Sequence, residues 1–339
     1  MAQKSSKYRA VFFVIGLVAL GVMVYNIGLD TIVSNILKTG WWFLAIIGIW
    51  LVVYVFNAWS WRVILRDKHT PEVSFWNILK PTISGYAINY ITPVVALGGE
   101  PYRILEMRQH VGSKKATSSV VLYSMMHIMS HFLFWLTAAV LMMIYLELSV
   151  PLVVVLSVVV VLCTAAIIFF LKAYRNGLLM KSIRIAGKIP YLKKMVSRMD
   201  QDRLDKIAAT DQQIAHLYTY RRLDFYKSLS LEYLSRIISC LEVYFIVLAL
   251  GLDLTFIDAV IIIAVSSLIA NILFFAPLQL GTREGGFLLA FQGIAMSSGL
   301  GVYVSLITRI RETFWILIGL LLMHGKPAMK QVVPTNFQT

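Results

Sequence analysis

The chain has 339 residues, of which 59% are hydrophobic and 14% charged, and its mean hydropathy is +0.76. Soluble domains carry about 25% charged residues, so side chains this apolar cannot all be hidden in one soluble core, and lipid must be the solvent. The formal charge of +14 fits cytoplasmic loops rich in Lys and Arg, and without a soluble basic domain to carry it, nucleic-acid binding is set aside.

Spanning the hydrocarbon takes about 20 apolar residues. The first run that meets this is 10–28, preceded by Lys4, Lys7 and Arg9. Its basic flank resembles a secretory signal, but no small-x-small cleavage site follows, and it reads as an uncleaved span. The second span is 41–61, with Trp41, Trp42 and Trp61 at its ends as interfacial aromatics are. Region 77–99 is apolar but interrupted by Pro81, Gly85, Asn89, Pro93, Gly98 and Gly99. Spans 118–146, 150–171 and 229–250 follow. A second interrupted region, 256–298, contains Asn271, Pro277, Gly281, Gly285 and Gly286, and the span 300–323 comes last. The expected fold is all-α: a polytopic transmembrane bundle of about six full spans plus two broken re-entrant hairpins, in one integral membrane domain over 1–339.

Lys and Arg set the orientation. The N-terminal tail, 62–80, 103–115 and the tail after 323 are basic, and 172–226 carries twelve Lys and Arg against five Asp. The loops 29–40, 147–149 and 251–256 are not basic. The basic segments are therefore expected in the cytoplasm, with both termini inside. Region 77–99 then dips in and returns on the cytoplasmic side, and 256–298 does so from the outer side. Two such elements entering from opposite faces are what an inverted-topology repeat gives. Segment 172–226 is too polar to span, and reads as basic amphipathic helices on the cytoplasmic leaflet.

The chemistry is expected where the broken regions carry charge. Asn89 and Pro93 are followed by Gly98-Gly99-Glu100-Pro101-Tyr102-Arg103. The paired glycines stop one helix and Pro101 suits the start of the next, whose free N–H groups and positive dipole end favour an anion. Arg103 adds a fork of donors suited to phosphate. Glu100 is at odds with a simple anion site, and can instead take a proton, pair with an arginine or meet a cationic head group. The second motif repeats these ingredients: Asn271, then Pro277-Leu-Gln-Leu-Gly281-Thr-Arg283-Glu284-Gly285-Gly286. Ionisable residues inside a membrane are costly and are functional candidates by default.

Supporting charges lie on the spans. Asn57 and Arg62 end the second span, and Glu232, Arg236 and Glu242 lie on 229–250. Glu232 and Arg236, four apart, can pair on one face. Arg309, Arg311 and Glu312 lie in the last span, with Arg309 and Glu312 on one face. All of these can instead serve only as internal glue for the bundle. His127 and His131 are four apart without the carboxylate of a zincin motif, so hydrogen-bonded histidines inside the bundle are expected and no metal or cofactor is assigned. Cys163 and Cys240 lie in apolar runs and imply no disulfide framework.

On these two motifs the sequence resembles the flippase-like family that includes the membrane region of lysylphosphatidylglycerol synthases, found in multiple peptide resistance factors. The matching elements are Asn89, Pro93 and Gly99-Glu100-Pro101-Tyr102-Arg103, then Pro277-Leu-Gln-Leu-Gly281-Thr-Arg283-Glu284-Gly285. The resemblance covers about 10–323, and its second element is the more specific. Where the family often has Glu-Arg-x-x-Asp, this chain has Tyr123-Ser124-Met125-Met126-His127, with His127 as the substitute. The chain ends near 339, without the soluble aminoacyl-transferring domain of the full synthases. The resemblance therefore implies lipid movement and not synthesis of aminoacyl lipid.

The expected function is translocation of a phospholipid or isoprenoid-phosphate head group across the cell membrane, with anionic lipid as partner. Asn89, Glu100, Arg103, Asn271, Arg283 and Glu284 would bind it, supported by Arg62, His127, Glu232, Arg236, Arg309 and Glu312. The alternative is a secondary transporter for a small anionic solute. A membrane enzyme acting on lipid phosphate lacks a nucleophile–base constellation in the sequence.

Overall fold

The computed structural model describes residue 25 and residues 28–67, 72–91, 98–176, 178–188, 200–273 and 281–323. The expected span 10–28, Pro93 and Pro277 lie wholly or almost wholly outside the described residues. Every regular element among them is an α-helix: α1 Leu29–Thr39, α2 Trp42–Leu65, α3 Phe75–Ile91, α4 Gly99–Tyr145, α5 Val150–Asn176, α6 Leu178–Ala186, α7 Gln201–Tyr220, α8 Arg222–Ser239, α9 Leu241–Ala249, α10 Phe256–Ile272, α11 Thr282–Gly293 and α12 Ser298–Met323. Three of these, α2, α4 and α5, are long and apolar enough to cross a membrane by length and composition. The protein is a largely helical, multi-span membrane protein.

The packing explains why lipid is needed. One broad face of helix α5 is uncovered by the described residues: Val154, Val155, Val158, Val161 and Leu162 are all more than half exposed. A helix so apolar and so uncovered is stable only with hydrocarbon around it. The centre of the bundle is different. Helix α2 packs on α8, and α12 packs on α3 and α11. Small residues let α3 and α12 approach closely. A Cβ added at Gly319 would lie 2.5 Å from the Ala87 Cβ, and Ser84 Oγ donates to the Gly319 carbonyl at 2.8 Å. Close backbone approach through small residues is how helices associate without a hydrophobic driving force.

Several expected elements differ in detail. The basic stretch 103–115 is helical, and it continues α4 from Gly99. Gly112, at φ 77° and ψ 162°, divides that helix into 99–111 and 113–145. Only glycine holds such a conformation without strain, so one residue turns a single run into two helices. The span expected at 229–250 is divided at Cys240 into α8 and α9. The stretch 29–40, expected as a loop, forms α1. Segment 172–226 is helical over α6 and α7, with α7 packed on α4, α5, α6 and α8.

Candidate functional site

The first motif is built by a chain reversal. Helix α3 ends at Ile91 and α4 begins at Gly99, and the Gly99 N–H donates to Asn89 Oδ1 at 2.7 Å. Asn89 therefore supplies the acceptor that the first turn of α4 lacks. The same contact brings two glycines together: a Cβ on Gly99 would lie 2.1 Å from the Gly85 carbonyl oxygen. Pro101 falls in the first turn, where its missing N–H costs nothing. Glu100 Oε1 accepts from Arg103 Nη1 at 3.2 Å and from Asn89 Nδ2 at 3.4 Å.

Arg103 is buried, with 2% of its side chain exposed. Its guanidinium lies over the rings of Tyr86 and Tyr123, 4.6 and 5.3 Å from their centroids. Its Nη2 donates to the Thr82 carbonyl at 3.4 Å. The Nε has no hydrogen-bond partner among the described residues. It is pressed against Gly85, where a Cβ would come within 2.4 Å of it. Glu100 Oε2 is likewise buried and without a partner among the described residues.

The second motif is an interlocked set of ion pairs between α11, α12 and α9. Arg283 pairs with Glu312. Glu284 accepts from Arg309 Nε at 2.5 Å, and its other oxygen accepts from the Gly281 N–H at 2.8 Å. Glu284 thus caps the start of α11 while holding α12. Next along α12, Arg311 makes a two-pronged pair with Glu242, at 2.7 and 2.8 Å. Its guanidinium stacks 3.7 Å from the centroid of the Trp50 ring, and Trp50 Nε1 donates to the same carboxylate at 2.9 Å. The Arg311–Glu242 pair is almost fully buried. Two buried charges persist only when geometry and hydrogen bonds compensate their lost hydration, and a two-pronged pair with an indole N–H supplies both.

A third cluster joins α2, α3, α4 and α8. His127 Nδ1 lies 2.7 Å from Glu232 Oε2, and Asn57 Nδ2 donates to Glu232 Oε1 at 3.1 Å. Arg236 contacts His127 Nε2 and the His127 carbonyl, both at 3.1 Å, and donates through Nε to Ser130 Oγ at 2.7 Å. The expected Glu232–Arg236 contact on one helix face thus runs through His127. His131 meets His127 edge to face at 5.3 Å between ring centroids.

The structure therefore brings Asn89, Glu100 and Arg103 together, and separately Arg283, Glu284, Arg309 and Glu312. Tyr90 on α3 neighbours Asn89 of the first set in the chain. Arg62 takes no part, pairing with the exposed Glu72 at 3.4 Å. Asn271 is exposed, and its amide donates to the Ser267 carbonyl at 2.8 Å. The sequence reading missed Tyr86, Tyr90 and Tyr123. Tyr86 and Tyr90 are four apart, a helical spacing inside a broken apolar segment, and that was the available signal. Among the described residues no three His, Cys, Asp or Glu side chains are grouped so as to hold a metal ion.

No curated protein and no solved structure matches the chain. A family model described as "Lysylphosphatidylglycerol synthase TM region" matches residues 10–320. That covers both motifs and nearly all the described helices, and the chain belongs to the family of the lysylphosphatidylglycerol synthase transmembrane region.

Proposed function

We propose that the protein is a lipid translocase of the cell membrane that moves the head group of an anionic phospholipid or lipid phosphate between leaflets. The observation that supports this most is the row of ion pairs Arg283–Glu312, Arg309–Glu284 and Arg311–Glu242 along one apolar helix, α12. A bundle that needed only cohesion would use apolar contacts, because replacing buried ion pairs by apolar residues is often neutral or stabilising. A path for a charged head group needs charges inside the membrane, kept paired while no head group is present.

In this reading the chain makes about six spans and two re-entrant hairpins, 77–99 and 256–298, related as an inverted repeat. Both termini and 172–226 are cytoplasmic. The head-group phosphate displaces a carboxylate from its arginine: Glu284 or Glu312 in the second motif, Glu100 in the first. Each arginine thus exchanges one oxyanion for another and its charge is never left unpaired, while the displaced carboxylate takes up a proton. Glu284 is the most accessible carboxylate of the set, with 34% of its side chain exposed, and is displaced first.

The test is head-group flipping in reconstituted vesicles, with mass spectrometry of co-purified lipids. The proposal expects a bound anionic lipid, retained in the Glu100→Gln/Glu284→Gln double variant, whose arginines no longer face these competing carboxylates, while flipping is blocked. Uptake of a soluble phosphate-bearing solute without lipid movement would favour the small-anion transporter instead.

A further inference from the structure

The His127 cluster lies outside both broken motifs, and its geometry fixes the position of a proton. Arg236 Nη2 lies 3.1 Å from His127 Nε2. A guanidinium carries only donors, so Nε2 must be the unprotonated, accepting nitrogen. On the other side of the ring, Glu232 Oε2 is 2.7 Å from Nδ1. An ionised carboxylate only accepts, so Nδ1 carries the hydrogen. The partners thus assign a neutral ring with its hydrogen on Nδ1. A second proton has one place to go, Nε2, and Arg236 holds it.

The surroundings decide what that proton meets. Helix α8 contributes Glu232 and Arg236. From α3, Tyr86 Oη lies 3.2 Å from Nδ1 and also contacts Tyr123 Oη at 3.0 Å. On α4 itself stand Tyr123, Ser130, His131 and, across the Tyr86 ring, Arg103 with its partner Glu100. Helix α2 offers Asn57, which carries no charge. The charged groups around the ring are thus the cations Arg236 and Arg103 and the carboxylate Glu232. The imidazole keeps 30% of its side-chain surface accessible, whereas Glu232 has none. A proton therefore enters through His127.

We infer that His127 and Arg236 form a proton-displaced latch between α4 and α8. A proton from water bonds to Nε2, and the hydrogen bond from Arg236 Nη2 to that nitrogen breaks. The hydrogen bond from Nδ1 to Glu232 becomes an ion pair. Arg236 keeps its bonds to Ser130 Oγ and the His127 carbonyl, so it is loosened and not freed. Protonation of Nε2 and the Arg236 Nη2–His127 Nε2 hydrogen bond between α4 and α8 are thereby mutually exclusive. The translocase reading enters only in the consequence, a proton-dependent step in the transport cycle; the latch is testable without lipid movement.

The experiment is a pH titration of the whole protein in nanodiscs, with ¹⁵N-labelled histidine followed by NMR. His131→Gln isolates the His127 signal. Spin labels at the exposed positions Val140 on α4 and Leu234 on α8 report their separation. The latch predicts a neutral ring protonated on Nδ1 near pH 7, gain of the Nε2 proton on acidification, and a change in label separation at the same midpoint. Arg236→Gln removes the opposing cation, so the midpoint rises and the coupled change in separation disappears. A ring protonated on Nε2 at neutral pH, or protonation with no change in label separation, overturns the latch. If Arg236→Gln fails to fold, the tautomer and the coincidence of the two midpoints decide the matter in the otherwise native chain. A working latch in a protein that flips no lipid would leave the latch standing and remove the translocase reading.

Discussion

Arg283 pairs with Glu312, twenty-nine residues along the chain, although Glu284 is its neighbour in sequence. Glu284 turns to Arg309 instead. Adjacent residues on α11 thus address two residues of α12 that are three apart, and the two pairs cross-link the helices with opposite polarity. A slip between α11 and α12 would separate both pairs at once and leave buried charges without partners, so the pairs fix register as well as charge.

Breaking the most buried pair should destabilise the protein most. Glu242→Gln leaves Arg311 buried opposite a neutral amide, and removing one member of a buried pair costs about 3–5 kcal/mol. Replacing both, as Glu242→Leu/Arg311→Met, should cost less than the single change. Thermal unfolding in detergent, compared across the three proteins, measures this. A double variant less stable than the single one would contradict the account.

Gly99→Ala should fail more severely than an ordinary small-to-large change. A Cβ there meets the Gly85 carbonyl oxygen at 2.1 Å, a backbone atom that cannot swing away. Overpacking typically costs about 1–3 kcal/mol, and here the clash also threatens the Gly99 N–H bond to Asn89. Gly285→Ala, where a Cβ meets nothing within 4 Å, is the matched control and should fold normally. Yield of monodisperse protein and its melting temperature check both.

Single cysteines at Gln201 and Gln212 on α7 should be labelled only from the cytoplasmic side. Both positions are exposed, so labelling reads orientation and not burial. Membrane-impermeant maleimide on oriented vesicles is the measurement. External labelling would reverse the orientation, and with it the sides from which the two broken regions enter.

Much of this was legible in the sequence, because charge in an apolar run is conspicuous. Arg103, Arg283, Glu284, Arg309 and Glu312 stood out by type alone. The spacing of Arg309 and Glu312 correctly put them on one face of α12. It could not tell that both reach across to α11, because partner choice depends on which helix packs there. The same limit hid the role of His127, which bridges Glu232 and Arg236 only because α4 packs on α8. The helix expected to start at Pro101 carries on through the basic stretch 103–115, whose Lys and Arg tolerate a helix well, and the break before the span rests on the single positive φ of Gly112. Tyr86 carries no such mark, since nothing local announces that its ring will lie under the Arg103 guanidinium.

The most direct measurement of the central claim is head-group flipping by Arg283→Lys in reconstituted vesicles, beside wild type and protein-free vesicles. Lysine keeps the charge opposite Glu312 but loses the planar fork that grips a phosphate. The account predicts that wild type moves anionic phospholipid and that Arg283→Lys folds but flips on the order of tenfold more slowly. That factor corresponds to about 1.4 kcal/mol, close to the loss of one charge-assisted hydrogen bond. Flipping by Arg283→Lys at the wild-type rate, or wild-type flipping no faster than in protein-free vesicles, would contradict it.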